Sequence, residues 1–237
     1  MTFSRTLART LLACCTSAIA ATAGAAAVSV SFTPLTGMTG VDGTAVFRAD
    51  LSGLSMSTIQ SIRLIDSNSG LGGSVGAYSG FDLDAIKLST TFATTAAEAS
   101  GAVGLSVFDF SPSGTFFTPG TQRPPAAAKL NGTDAGGTQV DAAFATLDQF
   151  DAIWFGAGSI TLGDGGEIAF NLDLPVPTTG LYLYVGEVSG DPGEALSGTL
   201  LVSSDPVDPN PVPEPATLPL IAVGLLLGWR ARRRAAG

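Results

Sequence analysis

Two aspartates one residue apart, Asp82 and Asp84, are the side chains whose type and spacing come closest to a metal site. On an extended strand, residues i and i+2 face the same side, so both carboxylates would lie on one face and offer calcium the oxygen ligands it prefers. The apolar alternation then breaks, because Ile86 and Leu88 are out of phase with Leu83, which predicts a bulge or bend in the strand. The pair is a calcium candidate, and a solvated strand face is the alternative.

The absence of histidine excludes several kinds of catalytic site. It removes the Ser-His-Asp triad and the commonest zinc ligand. Cys14 and Cys15 lie in the N-terminal segment, so the mature chain would contain neither a disulfide nor a thiol nucleophile. A glycoside hydrolase needs only two carboxylates about 5 to 10 Å apart, and the sequence cannot identify such a pair among many acids. We predict that the protein is not an enzyme and keep a secreted carboxylate-dependent glycoside hydrolase as an alternative.

The charged residues are unevenly distributed along the chain. The segment from Asp42 to Glu214 holds all 20 acidic residues and five basic ones, which leaves it a formal charge of −15. Such a segment repels a phosphate backbone, so nucleic-acid binding is excluded. The acidic surface could bind divalent cations that bridge anionic exopolysaccharide, or it could serve only to keep a secreted domain soluble.

Residues 1–27 have the layout of a secretory signal peptide. Two arginines precede an apolar run from Leu11 to Ala27, and the run ends in small residues that fit the pocket of signal peptidase. Cleavage is predicted after Ala27, with Ala25 and Ala23 as alternative sites. A retained membrane anchor is the alternative to cleavage.

The C-terminal end has three parts. Prolines at 206, 209, 211, 213 and 215 predict an extended spacer, and the uncharged, mostly apolar run from Ala216 to Trp229 predicts a transmembrane helix. The basic residues that follow stay in the cytoplasm by the positive-inside rule and place the acidic domain outside. They are Arg230, Arg232, Arg233 and Arg234. The helix would rise only about 21 Å, less than the roughly 30 Å of hydrocarbon, which suits a transient signal.

The tail also contains a recognisable motif, Val212, Pro213, Glu214 and Pro215, directly before the apolar run and the arginines. This order closely resembles the PEP-CTERM sorting signal of Gram-negative bacteria, which accompanies a signal peptide at the other end of the chain. The resemblance implies recognition by an exosortase, a membrane-embedded transpeptidase-like enzyme that cleaves near the Pro-Glu-Pro and releases or re-anchors the protein. A plain C-terminal membrane anchor is the alternative.

Between the two ends, apolar and polar residues alternate in short runs, which predicts β-strands. In Glu167 to Leu174 every second residue is apolar, so that one face is buried and the other solvated. The other predicted strands are Thr44 to Leu51, Ile59 to Ile65, Phe81 to Leu88, Val103 to Phe110, Ala152 to Leu162, Leu181 to Val188 and Ser197 to Val202. We predict an all-β domain, a β-sandwich or jelly-roll-like fold, flanked by the signal helix and the transmembrane helix.

Two further segments and three aromatic residues receive separate predictions. Val140 to Phe150 has a weak helical pattern and could equally be a loop, and Ser111 to Gly137 is predicted to be a long surface loop. Exposed aromatic rings can stack on sugars, but Trp154, Tyr182 and Tyr184 lie in strand-like runs, so core packing is their predicted role.

The predicted organisation is a signal peptide at 1–27, an acidic β-rich domain at 28–203, a proline-rich spacer at 204–215, and a transmembrane helix with a basic tail at 216–237. The precursor would be anchored in the inner membrane, and the product would reach the outer surface or the extracellular matrix. Its predicted role is structural or adhesive, and an exopolysaccharide-binding module is the alternative. Signal peptidase and exosortase are the expected processing partners. No cofactor is predicted, with calcium as the one candidate.

Overall fold

The computed structural model describes residues 27–70, 74–188 and 198–208. These residues form ten β-strands and three short helices. The strands are β1 (Val28–Val30), β2 (Thr33–Pro34), β3 (Thr44–Asp50), β4 (Thr58–Ile65), β5 (Asp82–Ser89), β6 (Thr115–Thr118), β7 (Ile160–Thr161), β8 (Glu167–Pro177), β9 (Tyr182–Val188) and β10 (Thr199–Ser203). The helices are a 3₁₀ turn at Gly76–Tyr78, α1 (Ala96–Gly101) and α2 (Ala142–Ala145).

The strands form two antiparallel sheets, which confirms the all-β class. The first sheet has the order β1-β10-β4-β8-β6, and the second has the order β2-β3-β9-β5-β7. Side chains from both sheets form one hydrophobic core. Burial of each large apolar side chain in such a core contributes about 1.5 to 3 kcal/mol. The first sheet contributes Ile62, Leu64 and Phe170, and the second contributes Leu83, Leu183 and Val185.

The outer face of the second sheet carries a smaller apolar cluster. Tyr184 of β9 packs there with Ala96 and Ala99 of α1 and with the ring of Phe150. Helix α1 begins with a capping box in which Thr95 and Glu98 satisfy each other's backbone N–H groups. Because this layer covers β9, the strand is buried on both faces, unlike a strand with one solvated side.

Six of the eight predicted strands are present with bounds close to those expected from the alternation: β3, β4, β5, β8, β9 and β10. The prediction for Val103 to Phe110 is wrong, since only Phe108 forms a bridge there, to Leu172. Its aromatic side chains instead pack from an irregular segment onto Phe170, with ring centroids 5.7 and 5.9 Å away.

The prediction for Ala152 to Leu162 is also wrong over most of its length, because only β7 is a strand. The chain turns at Gly156 and Gly158, and Gly158 has a φ of +96°. A Cβ at Gly158 would lie 2.5 Å from the Cα of Ala152, so this close approach requires glycine.

Elsewhere the structure adds elements that the patterns did not predict. Helix α2 is one turn long and is followed by Thr146 in the left-handed region. The predicted loop from Ser111 to Gly137 contains the edge strand β6, while β1, β2 and α1 were not predicted at all. The signal helix and the transmembrane helix lie outside the described residues. Within 27–70, 74–188 and 198–208, no helix is long and apolar enough to cross a membrane.

Candidate functional site

Most of the predicted processing residues lie outside the described residues. This applies to Ala25, to the motif Val212, Pro213, Glu214 and Pro215, and to Arg230, Arg232, Arg233 and Arg234. Ala27 is described and exposed, and β1 begins at the next residue.

The chain beyond β10 remains attached to the first sheet. Ser61 donates a hydrogen bond to the carbonyl oxygen of Asp205 at 2.7 Å. The side-chain amide of Asn171 donates to the carbonyl of Val207 at 3.1 Å and accepts from its N–H at 2.7 Å. These contacts hold the chain on the sheet as far as Val207, and the compact unit ends at that residue.

Asp84 lies in a β-bulge, as the broken alternation predicts. The register between β5 and β9 shifts between Leu83 and Ile86, so Asp84 and Ala85 together lie opposite a single residue of β9. The side chain of Asp84 is fully buried.

Protein donors occupy both carboxylate oxygens of Asp84. The hydroxyl of Thr44 donates to Oδ2, and the N–H groups of Asp151 and Ala152 donate to Oδ1, each at 3.1 Å. Burial raises the pKa of Asp84 to about 6, although these hydrogen bonds oppose the rise. These hydrogen bonds join β3, β5 and the segment after α2, so the role of Asp84 in the fold is structural.

Asp82 has a different neighbourhood. It pairs with Thr161 of β7 and accepts a hydrogen bond from the Thr161 hydroxyl. In the described part of the chain, no three acidic, histidine or cysteine side chains come together as a group able to hold a metal. The structure therefore places Asp82 and Asp84 on one strand and gives each of them a protein partner.

The three aromatic residues singled out from the sequence have different environments. Tyr184 is buried as predicted, and its hydroxyl donates to the carbonyl of Thr91 at 2.6 Å and accepts from the N–H of Ala93 at 2.9 Å. Tyr182 is half-buried against Phe92. The core-packing prediction is wrong for Trp154, which is 57% exposed.

Trp154 belongs to a tight turn that presents two aromatic rings to solvent. Gly156 donates its N–H to the carbonyl of Ile153 at 2.8 Å, which closes a four-residue turn with Trp154 and Phe155 at its centre. The rings of Trp154 and Phe155 are stacked, with centroids 5.0 Å apart and an interplanar angle of 17°. Phe155 also meets the edge of Tyr78, with centroids 4.8 Å apart. We call Ile153 to Gly156 the aromatic turn.

A small pocket adjoins the aromatic turn. It has a volume of about 200 Å³, and its walls include Lys129, Asn131, Asp141 and Phe144. The side-chain amide of Asn131 donates to the carbonyl of Gly156 at 3.2 Å, which links the pocket wall to the turn. We call it the Asn131 pocket.

A larger cleft of about 520 Å³ lies beside β5 and β8. Phe108 and Phe110 stack along its wall at 5.5 Å, and the carboxylates of Asp148 and Asp173 also line it. Lys87 lines the cleft too, and its ammonium donates to three carbonyl oxygens at the end of α1 and just after it.

Comparison with known protein families identifies the motif in the C-terminal tail. The family model of the PEP-CTERM protein-sorting motif matches residues 211–234, which confirms the resemblance seen in the sequence. Comparisons with curated proteins and with solved structures give no match. The chain thus carries a C-terminal PEP-CTERM protein-sorting motif, which marks an exported protein of the cell envelope or surface for processing by an exosortase.

Proposed function

We propose that this protein is a structural or adhesive component of the cell surface or extracellular matrix, delivered there by its exosortase-processed tail. The observation that carries the proposal is the sorting motif at 211–234, which follows a folded acidic β-domain. The motif accounts for delivery, and the domain is the part that would act after delivery.

The hydrogen bonds that hold the chain to the first sheet as far as Val207 support separate roles for the tail in delivery and for the domain after delivery. Asn171 and Ser61 bind the chain up to this residue, whereas the Pro-Glu-Pro begins only at Pro213. Cleavage near the motif would therefore leave these contacts in the product. The product would keep both sheets and the hydrogen bonds that hold the chain to the first sheet as far as Val207, as a lasting surface component requires.

The proposed role is non-catalytic. The absence of histidine from the chain supports it. For the alternative of a glycoside hydrolase, Asp148 and Asp173 are a candidate pair, because both line the larger cleft. A reducing-end assay on neutral and anionic polysaccharides tests this alternative. Hydrolysis by the wild-type protein that is lost in Asp148→Asn or Asp173→Asn would overturn the non-catalytic proposal.

The delivery step is tested by comparing Glu214→Gln with Asp208→Asn, which makes the same charge change outside the matched motif. Cells producing each variant are separated into membrane, surface and medium fractions, and the protein is detected by immunoblotting. We expect Glu214→Gln to accumulate in the membrane fraction and Asp208→Asn to distribute as the wild type does. Identical distribution of all three proteins would refute delivery through the motif.

A further inference from the structure

We propose that the aromatic turn and the Asn131 pocket together form a binding site for a neutral polysaccharide. The inference rests on the proposed adhesive function and names its ligand class. A sugar ring has an apolar C–H face, which stacks on aromatic rings, and a rim of hydroxyl groups that hydrogen-bond to carboxylates and amides.

The aromatic turn holds its rings in place by a network of backbone contacts. The N–H of Trp154 donates to the carboxylate of Asp42 at 2.8 Å, and the N–H of Ile153 donates to the carbonyl of Ala157 at 2.9 Å. Hydrogen bonds fix the backbone on both sides of the rings. The free-energy cost of ordering the turn when a ligand binds would therefore be small.

Phe155 occupies a backbone conformation that favours glycine. Its φ is +55° at the third position of the turn, where glycine or asparagine is usual. Such a conformation in a bulky residue costs about 1 to 3 kcal/mol and persists only where the surrounding structure imposes it. The turn therefore places a large, half-exposed ring where stability alone would favour glycine.

The Asn131 pocket, which the hydrogen bond between Asn131 and Gly156 joins to the turn, supplies polar groups. Asp141 precedes α2 but makes no side-chain capping bond, so its carboxylate remains able to accept hydrogen bonds from sugar hydroxyls. Phe144 adds a further partly exposed ring to the pocket wall. A volume of about 200 Å³ suits one sugar unit rather than a larger ligand.

The charges around the site favour a neutral ligand. Asp42 and Asp141 flank the aromatic rings and the pocket, and they would repel carboxylate or sulfate groups on an anionic polysaccharide. Lys129 is the basic residue in the pocket wall. Its ammonium group already donates hydrogen bonds to protein groups, the carbonyl oxygens of Thr133 and Asp134. The same acidic surroundings oppose an anionic lipid surface and a second copy of this acidic chain.

The test measures binding of the full chain in detergent to three neutral polymers: hydroxyethyl cellulose, dextran and galactomannan. Alginate is the anionic probe, and vesicles of phosphatidylcholine with phosphatidylglycerol are the lipid probe. In a Trp229→Phe background Trp154 is the sole tryptophan, so its emission reports directly on the aromatic turn. We expect at least one neutral polymer to shift this emission, and neither alginate nor the vesicles to do so.

Variants then assign the binding to the site by calorimetry. Trp154→Ala is expected to lower the affinity at least about tenfold and Asp141→Ala about fivefold, whereas Trp154→Phe retains most of the binding. Phe92→Ala is the matched control, because Phe92 is 54% exposed but packs elsewhere, on Tyr182. The control should bind as the wild type does, and thermal unfolding verifies that each variant is folded.

Three results would overturn the proposal: no binding to any neutral polymer, equal binding by the wild type and Trp154→Ala, or a response limited to alginate or vesicles. Failure here would leave the sorting proposal intact, since that proposal is tested by the distribution of Glu214→Gln. Conversely, failure of the sorting proposal would leave the binding proposal testable, because the emission of Trp154 is measured on the full, unprocessed chain.

Discussion

Thr44 of β3 hydrogen-bonds to Asp84 of β5 across the intervening strand β9, and Gly186 of β9 lies beneath this contact. A Cβ at Gly186 would lie 2.9 Å from Cγ2 of Thr44 and 2.8 Å from the ring of Phe150. The missing side chain therefore makes room both for the Thr44 contact and for the ring that covers the outer face of the sheet.

Gly186→Ala is expected to destabilise the domain by about 1 to 3 kcal/mol, because the added methyl group must displace Thr44 or Phe150 in a closely packed region. The measurement is the free energy of unfolding in urea. Gly53→Ala is the matched control, since a Cβ there meets no atom within 4 Å. Equal stability of the two variants would contradict the packing described for β9.

Asp84 is expected to make the stability depend on pH. Burial raises its pKa from 3.8 to about 6, with a smaller contribution from the nearby charge of Asp151, against the hydrogen bonds that it accepts. The folded protein therefore holds this proton more tightly than the unfolded chain does. The resulting stabilisation is fully present below pH 3.8 and is lost as the pH rises through about 6.

Asp84→Asn removes this titration, so the difference in free energy of unfolding between the wild type and the variant isolates it from other carboxylates. We expect the wild type to lose about 2 kcal/mol relative to Asp84→Asn between pH 4 and pH 7. Urea unfolding at each pH provides the measurement. A difference that stays constant over this range would show that Asp84 does not titrate as its burial implies.

The hydroxyl of Tyr184 is expected to contribute to stability, whereas that of Tyr182 should not. Tyr184→Phe leaves the carbonyl of Thr91 and the N–H of Ala93 without their partner, at a cost of about 1 to 3 kcal/mol. Tyr182→Phe is the matched control two residues away on the same strand. Thermal unfolding of both variants would detect the difference. Equal loss of stability in the two variants would contradict a stabilising contact between Tyr184 and the segment that contains Thr91 and Ala93.

Calcium is expected to leave the stability of the domain unchanged. Both oxygens of Asp84 already accept hydrogen bonds from protein groups, and Asp82 accepts one from Thr161. Thermal unfolding in EDTA and in millimolar calcium should give the same midpoint. A midpoint that rises with calcium and no longer does so in Asp82→Asn would establish the metal site that the sequence suggested.

The alternation of apolar residues was sufficient to predict the long strands and the bulge. Leu83 and Ile86 face one side of β5, and the two residues between them require a break that is visible in the sequence. The sequence patterns do not predict helix α1 because it is short, although Thr95 and Glu98 have the spacing of a capping box. Strands as short as β1 and β2 have too few residues for an alternating pattern.

The aromatic turn was missed for a different reason. Ile153, Trp154 and Phe155 are residues that favour strands, so local composition indicated a buried segment. The glycines at 156 and 158 were the available sign of a turn. The contacts of Asp42 and Asn131, which are distant in sequence, show in the structure that the turn is held in place.

The central claim is that the tail is a processed sorting signal, and the most direct test is the mass of the mature protein. Intact mass measurement and C-terminal peptide mapping would be applied to protein recovered from the native envelope and from the medium. We predict a chain that ends near the motif, between Pro213 and Pro215. A membrane-bound product that still contains Trp229 and the arginines after it would contradict the claim and identify a permanently anchored protein.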